Sequence, residues 1–356
     1  LYLLNSGTPK AIASTSSDSR GTFSIPVPTG ADQGSYYLDA TLGHGIELTS
    51  LLGSGLPTTP VTINEKTSVA SAYALAQFSR SGQVIGTPHQ LDIAAGMVKN
   101  LADPALGISS EVLMKSPNGD QTTSLATLNS LSNLLASFVQ NPALAKTLYA
   151  LTPNENGATP TNSPTALSNL ARNPSENVQK LYKLSRTAKT YSKPLKSSPD
   201  VWALAVKFNN SGDINRLIGG VGNIAFDENG YAWITNNVVQ GTAKSSDFIL
   251  LFKPNGQPSD GSDGYLSSPI QGGGLLGQGF GITIDYQGAI WSGNFGWGNV
   301  NPSASPPGSG SITKQSPNGT PVSLPNGYYS DIYRAQSLDT DSKHNLWIAS
   351  YGNSRV

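Results

Sequence analysis

The 356-residue sequence predicts a multidomain α+β chain. A small β-sandwich comes first, an all-α helical region follows, and a partial β-propeller with four-stranded blades closes the chain. Three observations predict this. Apolar residues alternate with period two over the first 50 or so positions, then recur at three- and four-residue spacing from Ile63 onward, then return to β-type runs after Pro199. An Asp–Trp pair with six-residue spacing occurs three times in the last part. Gly, Pro, Asn and Asp punctuate the β segments as turns require. The expected boundaries are 1–52 for the β-sandwich-like domain, 53–62 for a linker, 63–192 for the helical domain, 193–205 for a second linker and 206–356 for the propeller blades.

In the first segment, residues 11–15 are β-prone, and Asp18 and Gly21 frame a turn. Phe23, Ile25 and Val27 alternate with polar or turn residues, as a half-buried strand does. Residues 36–41 read as another strand. About 50 residues bury too little surface to stand alone, so this sheet must pack on something else. Gly53, Gly55, Pro57 and Pro60 mark the linker.

Beyond it, Val69, Tyr73 and Ala76 share a helical face, with Thr67 as the expected N-cap. Residues 90–101 form a second helix. The clearest helix is 124–140, where Leu125, Leu128, Leu131, Leu135 and Phe138 make an apolar stripe. Residues 142–150, 163–172 and 175–185 complete about six helices, and all these stripes read as core packing.

The repeat anchors are Asp227/Trp233, Asp285/Trp291 and Asp341/Trp347. Each copy reads as strand, polar turn, strand, with the Trp pointing into a core. Gly230 and Gly288 supply the turn's positive φ, and His344 stands there in the third copy. The three Asp residues read as hairpin braces that accept backbone N–H bonds. Between the copies, residues 248–256 and 311–319 both end in Pro-Asn-Gly and form second hairpins. Four short strands per unit is propeller logic, with insertions at 256–274 and 298–310. Residues 206–356 hold two full blades and the start of a third, so further blades are expected past Val356. The chain starts at Leu1 with no visible signal peptide, and it reads as a mature or truncated piece.

Composition excludes several function classes. Charged residues are 12 %, and 22 Lys and Arg balance 22 Asp and Glu with no basic block, which argues against a nucleic-acid partner. There is no Cys, so disulfide scaffolds, Cys-ligated zinc and thiol catalysis fall away. No apolar run approaches the roughly 18 residues of a membrane helix, so no transmembrane segment is expected. The Gly-, Ser-, Thr- and Asn-rich remainder suits an extracellular β protein.

Catalytic residues are not apparent. His44, His89 and His344 lie in turns or before a helix, without an acidic partner in a recognisable motif. The glycines of 272–279 precede no helix and do not form a phosphate cradle. Asp260 and Asp263 sit in a Ser-Asp-Gly-Ser-Asp-Gly turn that could wrap calcium, the one cofactor considered. Phe295 and Trp297, with Tyr265, are candidate aromatic binding residues in loops.

The blade segments 249–256, 281–293 and 338–350 resemble NHL and virginiamycin B lyase-like propellers. The whole order resembles secreted bacterial multidomain proteins, in which a transthyretin- or carboxypeptidase-regulatory-like β domain precedes a helical region and a propeller. Residues 16–25, 37–43, 63–78, 128–139 and 167–178 carry that resemblance, and 63–78 is its most specific part. It implies export and a place at the cell surface. The expected function is therefore a non-enzymatic surface or extracellular structural and interaction protein. Its partner would be a protein or a glycan, met through propeller loops. Self-association is also expected, through a sheet edge at residues 1–4 or at Val356. The alternatives are a lyase-like propeller enzyme whose catalytic residues lie outside this chain, and a glycan-binding module.

Overall fold

In the computed structural model, which describes residues 1–4, 9–27, 34–80, 83–115, 123–237, 246–297 and 310–356, the first strands pair into one antiparallel sheet. They are β1 (Tyr2–Leu4), β2 (Pro9–Ala11), β3 (Ser35–Gly43) and β4 (Ile46–Ser54), in the order β2-β1-β3-β4. The β3–β4 hairpin turns through His44 and Gly45, both at positive φ (54° and 74°), the geometry that matches the right-handed strand twist.

One face of this sheet, with Tyr37 and Leu51, joins the helical core. The other face, with Tyr36 and Leu38, is covered by Ile12, Phe23, Ile25 and Val61. The expected strand at 22–27 is thus extended chain outside the ladder. Alternation reports burial of one side of a segment, and packing on a sheet face satisfies it as well as pairing does. Among the described residues no second sheet faces the first, so this is not a sandwich. Helices form the second layer.

Those helices are α1 (Glu65–Ala74), α2 (Pro88–Leu101), α3 (Glu111–Met114), α4 (Ser124–Gln140), α5 (Ala145–Leu151), α6 (Ser163–Arg172) and α7 (Val178–Ser185). Asn64, not Thr67, caps α1. Its side chain accepts from the Lys66 and Thr67 backbone N–H groups at 3.0 Å each, while the Thr67 hydroxyl accepts from the Asn64 N–H at 3.0 Å. Thr67 is the far half of this reciprocal cap. Leu91, Val98, Leu128, Leu131, Leu135, Phe138 and Leu167 fill the core between sheet and helices. Two short hairpins, β5/β6 (Ser79–Arg80, Gln83–Val84) and β7/β8 (Ala102–Asp103, Ile108–Ser109), flank α2.

The sheet edge at β4 is sealed by serines. Ser163 Oγ takes the Glu47 N–H at 2.9 Å, Ser68 Oγ takes that of Thr49 at 2.8 Å, and Ser71 Oγ takes that of Leu51 at 2.9 Å. Alternate outward N–H groups of an edge strand would otherwise be unpaired under the helices. The small polar residues that make α1 look weakly amphipathic are what this packing needs. Strand β1 is paired on both sides, so residues 1–4 are not the free edge expected from the sequence.

Residues 193–205, expected as a linker, also pack here. Trp202 is buried, its carbonyl accepts from the Tyr73 hydroxyl at 2.8 Å, and the Asn100 side chain holds both backbone groups of Lys207 at 2.8 Å. Leu1–Lys207 is accordingly one compact unit, and Phe208–Val356 is a second.

The second unit consists of small antiparallel sheets, none closed. The first contains β9 (Val221–Phe226), β10 (Ala232–Asn236), β11 (Phe248–Phe252) and β12 (Ile270–Gln271), paired in sequence order. The second contains β13 (Gln278–Ile284), β14 (Ile290–Asn294) and β15 (Ser311–Gln315). The third contains β16 (Ala335–Thr340) and β17 (Leu346–Ser350). The sheets stack with a fixed polarity. Trp233, Ile249 and Leu251 of the first sheet pack on Ile282 and Ile290 of the second. Trp291 and Ile312 of the second pack on Leu338, Leu346 and Ile348 of the third. Each Trp-bearing face therefore meets the Trp-free face of the next sheet. Of the insertion expected at 298–310, residues 298–309 lie outside the described residues.

Candidate functional site

The three Asp–Trp pairs fold into one geometry. In the β9–β10 turn, Asp227 Oδ1 accepts the N–H groups of Asn229 (3.0 Å) and Tyr231 (2.9 Å), and Oδ2 accepts the Trp233 indole N–H (3.0 Å). Asp285 does the same for Gln287, Ala289 and Trp291 at 2.9, 2.9 and 2.8 Å. Asp341 does it for Lys343, Asn345 and Trp347 at 2.9 Å each. The six-residue spacing follows from the hairpin: the carboxylate closes the tight turn with one oxygen and reaches the returning strand with the other. At Asp285 and Asp341 these bonds stabilise the ionised form. Around Asp285, burial opposes ionisation but is outweighed by the Trp291 and backbone bonds, so its carboxyl titrates below the usual range. Asp341 is shifted the same way by Asn345, its backbone and Trp347.

The expectation that every Trp enters a core holds in the first two copies, where Trp233 and Trp291 pack in apolar clusters, and fails in the third. Trp233 is fully buried and Trp291 half-buried, whereas Trp347 is 52 % exposed. The first two are covered by the sheet that follows, and no described sheet lies on the third one's Trp face. His344 occupies its turn at φ 67°, where the other copies have Gly, with its ring centroid 3.8 Å from that of Tyr286.

Tyr265 is not free to bind a ligand. Its ring stacks on Tyr231 at 4.1 Å, its hydroxyl donates to Asp227 Oδ2 at 2.9 Å, and it accepts from the Asn229 amide at 2.7 Å. Phe295 is likewise buried rather than exposed, stacked on Trp297 at 4.3 Å with the Arg334 guanidinium 5.6 Å from its ring centroid. Trp297 is half-buried, and of the rings in this cluster Tyr351 is widely exposed. The loop sequence shows aromatic residues but not that one ring lies under the other.

Asp260 and Asp263 already share one cation. Lys253 Nζ lies 2.9 Å from Asp260 and 3.1 Å from Asp263, and the Tyr231 hydroxyl donates to Asp263 at 2.6 Å. Hydrogen bonds from Ser262 and Lys253 push the Asp260 carboxyl below its ordinary range, and those from Tyr231 and Lys253 do so for Asp263. Lys253 is held protonated, because the two carboxylates outweigh the burial that opposes its charge. The turn is an ion-pair cluster, and a calcium ion there would have to displace the lysine. Among the described residues no group of three or more His, Cys, Asp or Glu is placed to hold a metal. No helix among them is long and apolar enough to cross a membrane.

Two features escape the sequence reading. Three residues after each Trp stands a buried polar side chain: Asn236, Asn294 or Ser350. Asn294 donates to Ser311 and Thr313 at 2.9 Å each, and Ser350 accepts the Tyr333 N–H at 2.8 Å, tying loops to the sheets. The repeat itself carries that signal. The other feature is Lys66, in the first turn of a helix of core-facing small residues. It is only 7 % exposed, donates to Ser109 at 2.8 Å and Asn129 at 2.9 Å, and lies 4.8 Å from the Tyr191 ring centroid. Burial pushes its ammonium down to about 8. Its partners are 43, 63 and 125 residues away in sequence, so no local pattern marks it.

No protein-family model matches this chain, and no curated protein is similar to it.

Proposed function

We propose that the protein is a non-enzymatic interaction protein whose second unit is built of β-propeller blades, with the Trp347 face, uncovered among the described residues, as its contact surface. One observation supports this reading most directly. The same Asp–Trp brace that seats Trp233 in a core leaves Trp347 52 % exposed. A large aromatic held rigidly by its own hydrogen bond loses little side-chain entropy on being covered. The stacking polarity suggests the chemistry of the occupant, which is a sheet face without Trp, like those of Ile282 and Ile290 or Leu346 and Ile348. The first sheet carries such a face: Ile234, Leu250 and Phe252 are buried there under Phe208 and Ile218, and Val221, Ile224 and Phe226 stay exposed beside an apolar groove of about 330 Å³. Export and a cell-surface location rest on the sequence resemblance alone.

Light scattering over a range of protein concentrations tests this reading, with acrylamide quenching of Trp fluorescence. Association that weakens in Trp347→Ser and in Phe226→Ser is expected. A chain that stays monomeric at high concentration, with the same quenching at every concentration, would defeat it.

A further inference from the structure

The first unit holds a cavity of about 430 Å³ beneath the segment 190–193. Its lining includes the polar residues Lys66, Ser109, Asn129, Tyr191 and Lys193 and the apolar residues Ile108, Met114 and Leu125. We propose that this cavity binds a small organic anion, with its carboxylate on Lys66 and its apolar body on Ile108, Met114 and Leu125.

Lys66 is a buried cation that, among the described residues, has no counter-charge. Among the described residues no carboxylate lies within 4.0 Å of its Nζ. The neighbouring Glu65 is engaged elsewhere, accepting from the Tyr191 hydroxyl at 2.7 Å. Two ammonium protons go to Ser109 and Asn129, which are neutral acceptors. Buried charges are ordinarily paired, because desolvation without a partner is costly. An anion entering the cavity meets an ammonium already stripped of water, with a second lysine, Lys193, on the same wall. The apolar lining shows the complementary defect: Ile108 is 43 % and Met114 48 % exposed, apolar surface that a ligand's body would cover.

The wall is rigid before any ligand arrives. The Asn133 side chain holds both backbone groups of Tyr191, at 2.9 and 2.8 Å, and Ser130 takes the Leu195 N–H at 2.8 Å. Lys193 is fixed between them at φ 54°, a conformation a non-glycine residue keeps only when its surroundings impose it. A preformed wall lowers the ordering cost of binding.

Calorimetric titration of the whole chain at pH 7 with octanoate, and with octanamide as its neutral counterpart, tests the proposal. Octanoate should bind one to one and at least about tenfold more tightly than octanamide, a preference lost in Lys66→Met and weakened about threefold in Lys193→Gln. On octanoate addition, amide NMR shifts should move at Ser109, Asn129 and Tyr191, a readout that stands even if Lys66→Met does not fold. The proposal is overturned if octanoate does not bind, if both probes bind equally, if Lys66→Met keeps the preference, or if the shifts move elsewhere.

Discussion

The two units solve one problem in different ways. A small sheet has an apolar face and an unpaired edge, and both must be covered. In the first unit, helices cover the face and the hydroxyls of Ser68, Ser71 and Ser163 take the β4 edge N–H groups. In the second unit each sheet is covered by the next copy of itself, Trp face to Trp-free face. The helical solution is closed within its own unit. Among the described sheets of the second unit, the Trp face that no other sheet covers is that of Trp347. The same six-residue motif is thus a core element in one copy and surface in another, so a motif's role depends on what packs on it.

The largest expected effect that would break this comparison is at the two Trp positions. Trp233→Ala removes a fully buried ring and should cost about 3–5 kcal/mol in urea unfolding. Trp347→Ala, with the same hydrogen bond but an exposed ring, should cost about 1 kcal/mol or less. Equal costs would mean that covering by the next sheet is not what distinguishes the copies. The serine seal comes next. Ser71→Ala leaves the buried Leu51 N–H without its acceptor and should cost about 1–3 kcal/mol by the same measurement, with Ser68→Ala similar through Thr49.

Acid should separate the units by sign. In the first, burial raises the carboxyls of Asp39 and Glu47, the latter also through the Asp39 charge. Ionisation of these groups therefore opposes folding, and acidification from neutral pH toward about 4 relieves that cost. In the second, Asp260, Asp263, Asp285 and Asp341 are all lowered, so their contribution is intact above about pH 4 and is lost as pH falls below it. Trp202 is the one Trp of residues 1–207. Unfolding followed by fluorescence in the native chain and in Trp202→Phe therefore reads the units apart. A parallel acid response in both would contradict these shifts. The smallest effect is at the third turn: His344→Gly removes a left-handed non-glycine residue and should stabilise by up to about 1 kcal/mol, less whatever its ring contact with Tyr286 supplies.

Much of the local structure was legible from residue order alone. The leucine stripe of 124–140 gives α4, because apolar residues at a 3.6-residue period line one side of a helix, although the folded chain buries residues 127–138 all round. The Asp–Trp spacing marks three equivalent hairpins, because the brace closes within six residues of chain. Tertiary structure decided the rest, wherever the partner is distant. It made 22–27 a cover for the sheet rather than a strand of it, and put residues 1–4 inside the sheet. It also put Tyr265 and Phe295 into packed clusters and spent Asp260 and Asp263 on Lys253. Lys66 is the extreme case: its helix could be read, but its burial beside Ser109, Asn129 and Tyr191 could not. Periodicity records which side of a segment avoids water, and only the folded chain determines what that side meets.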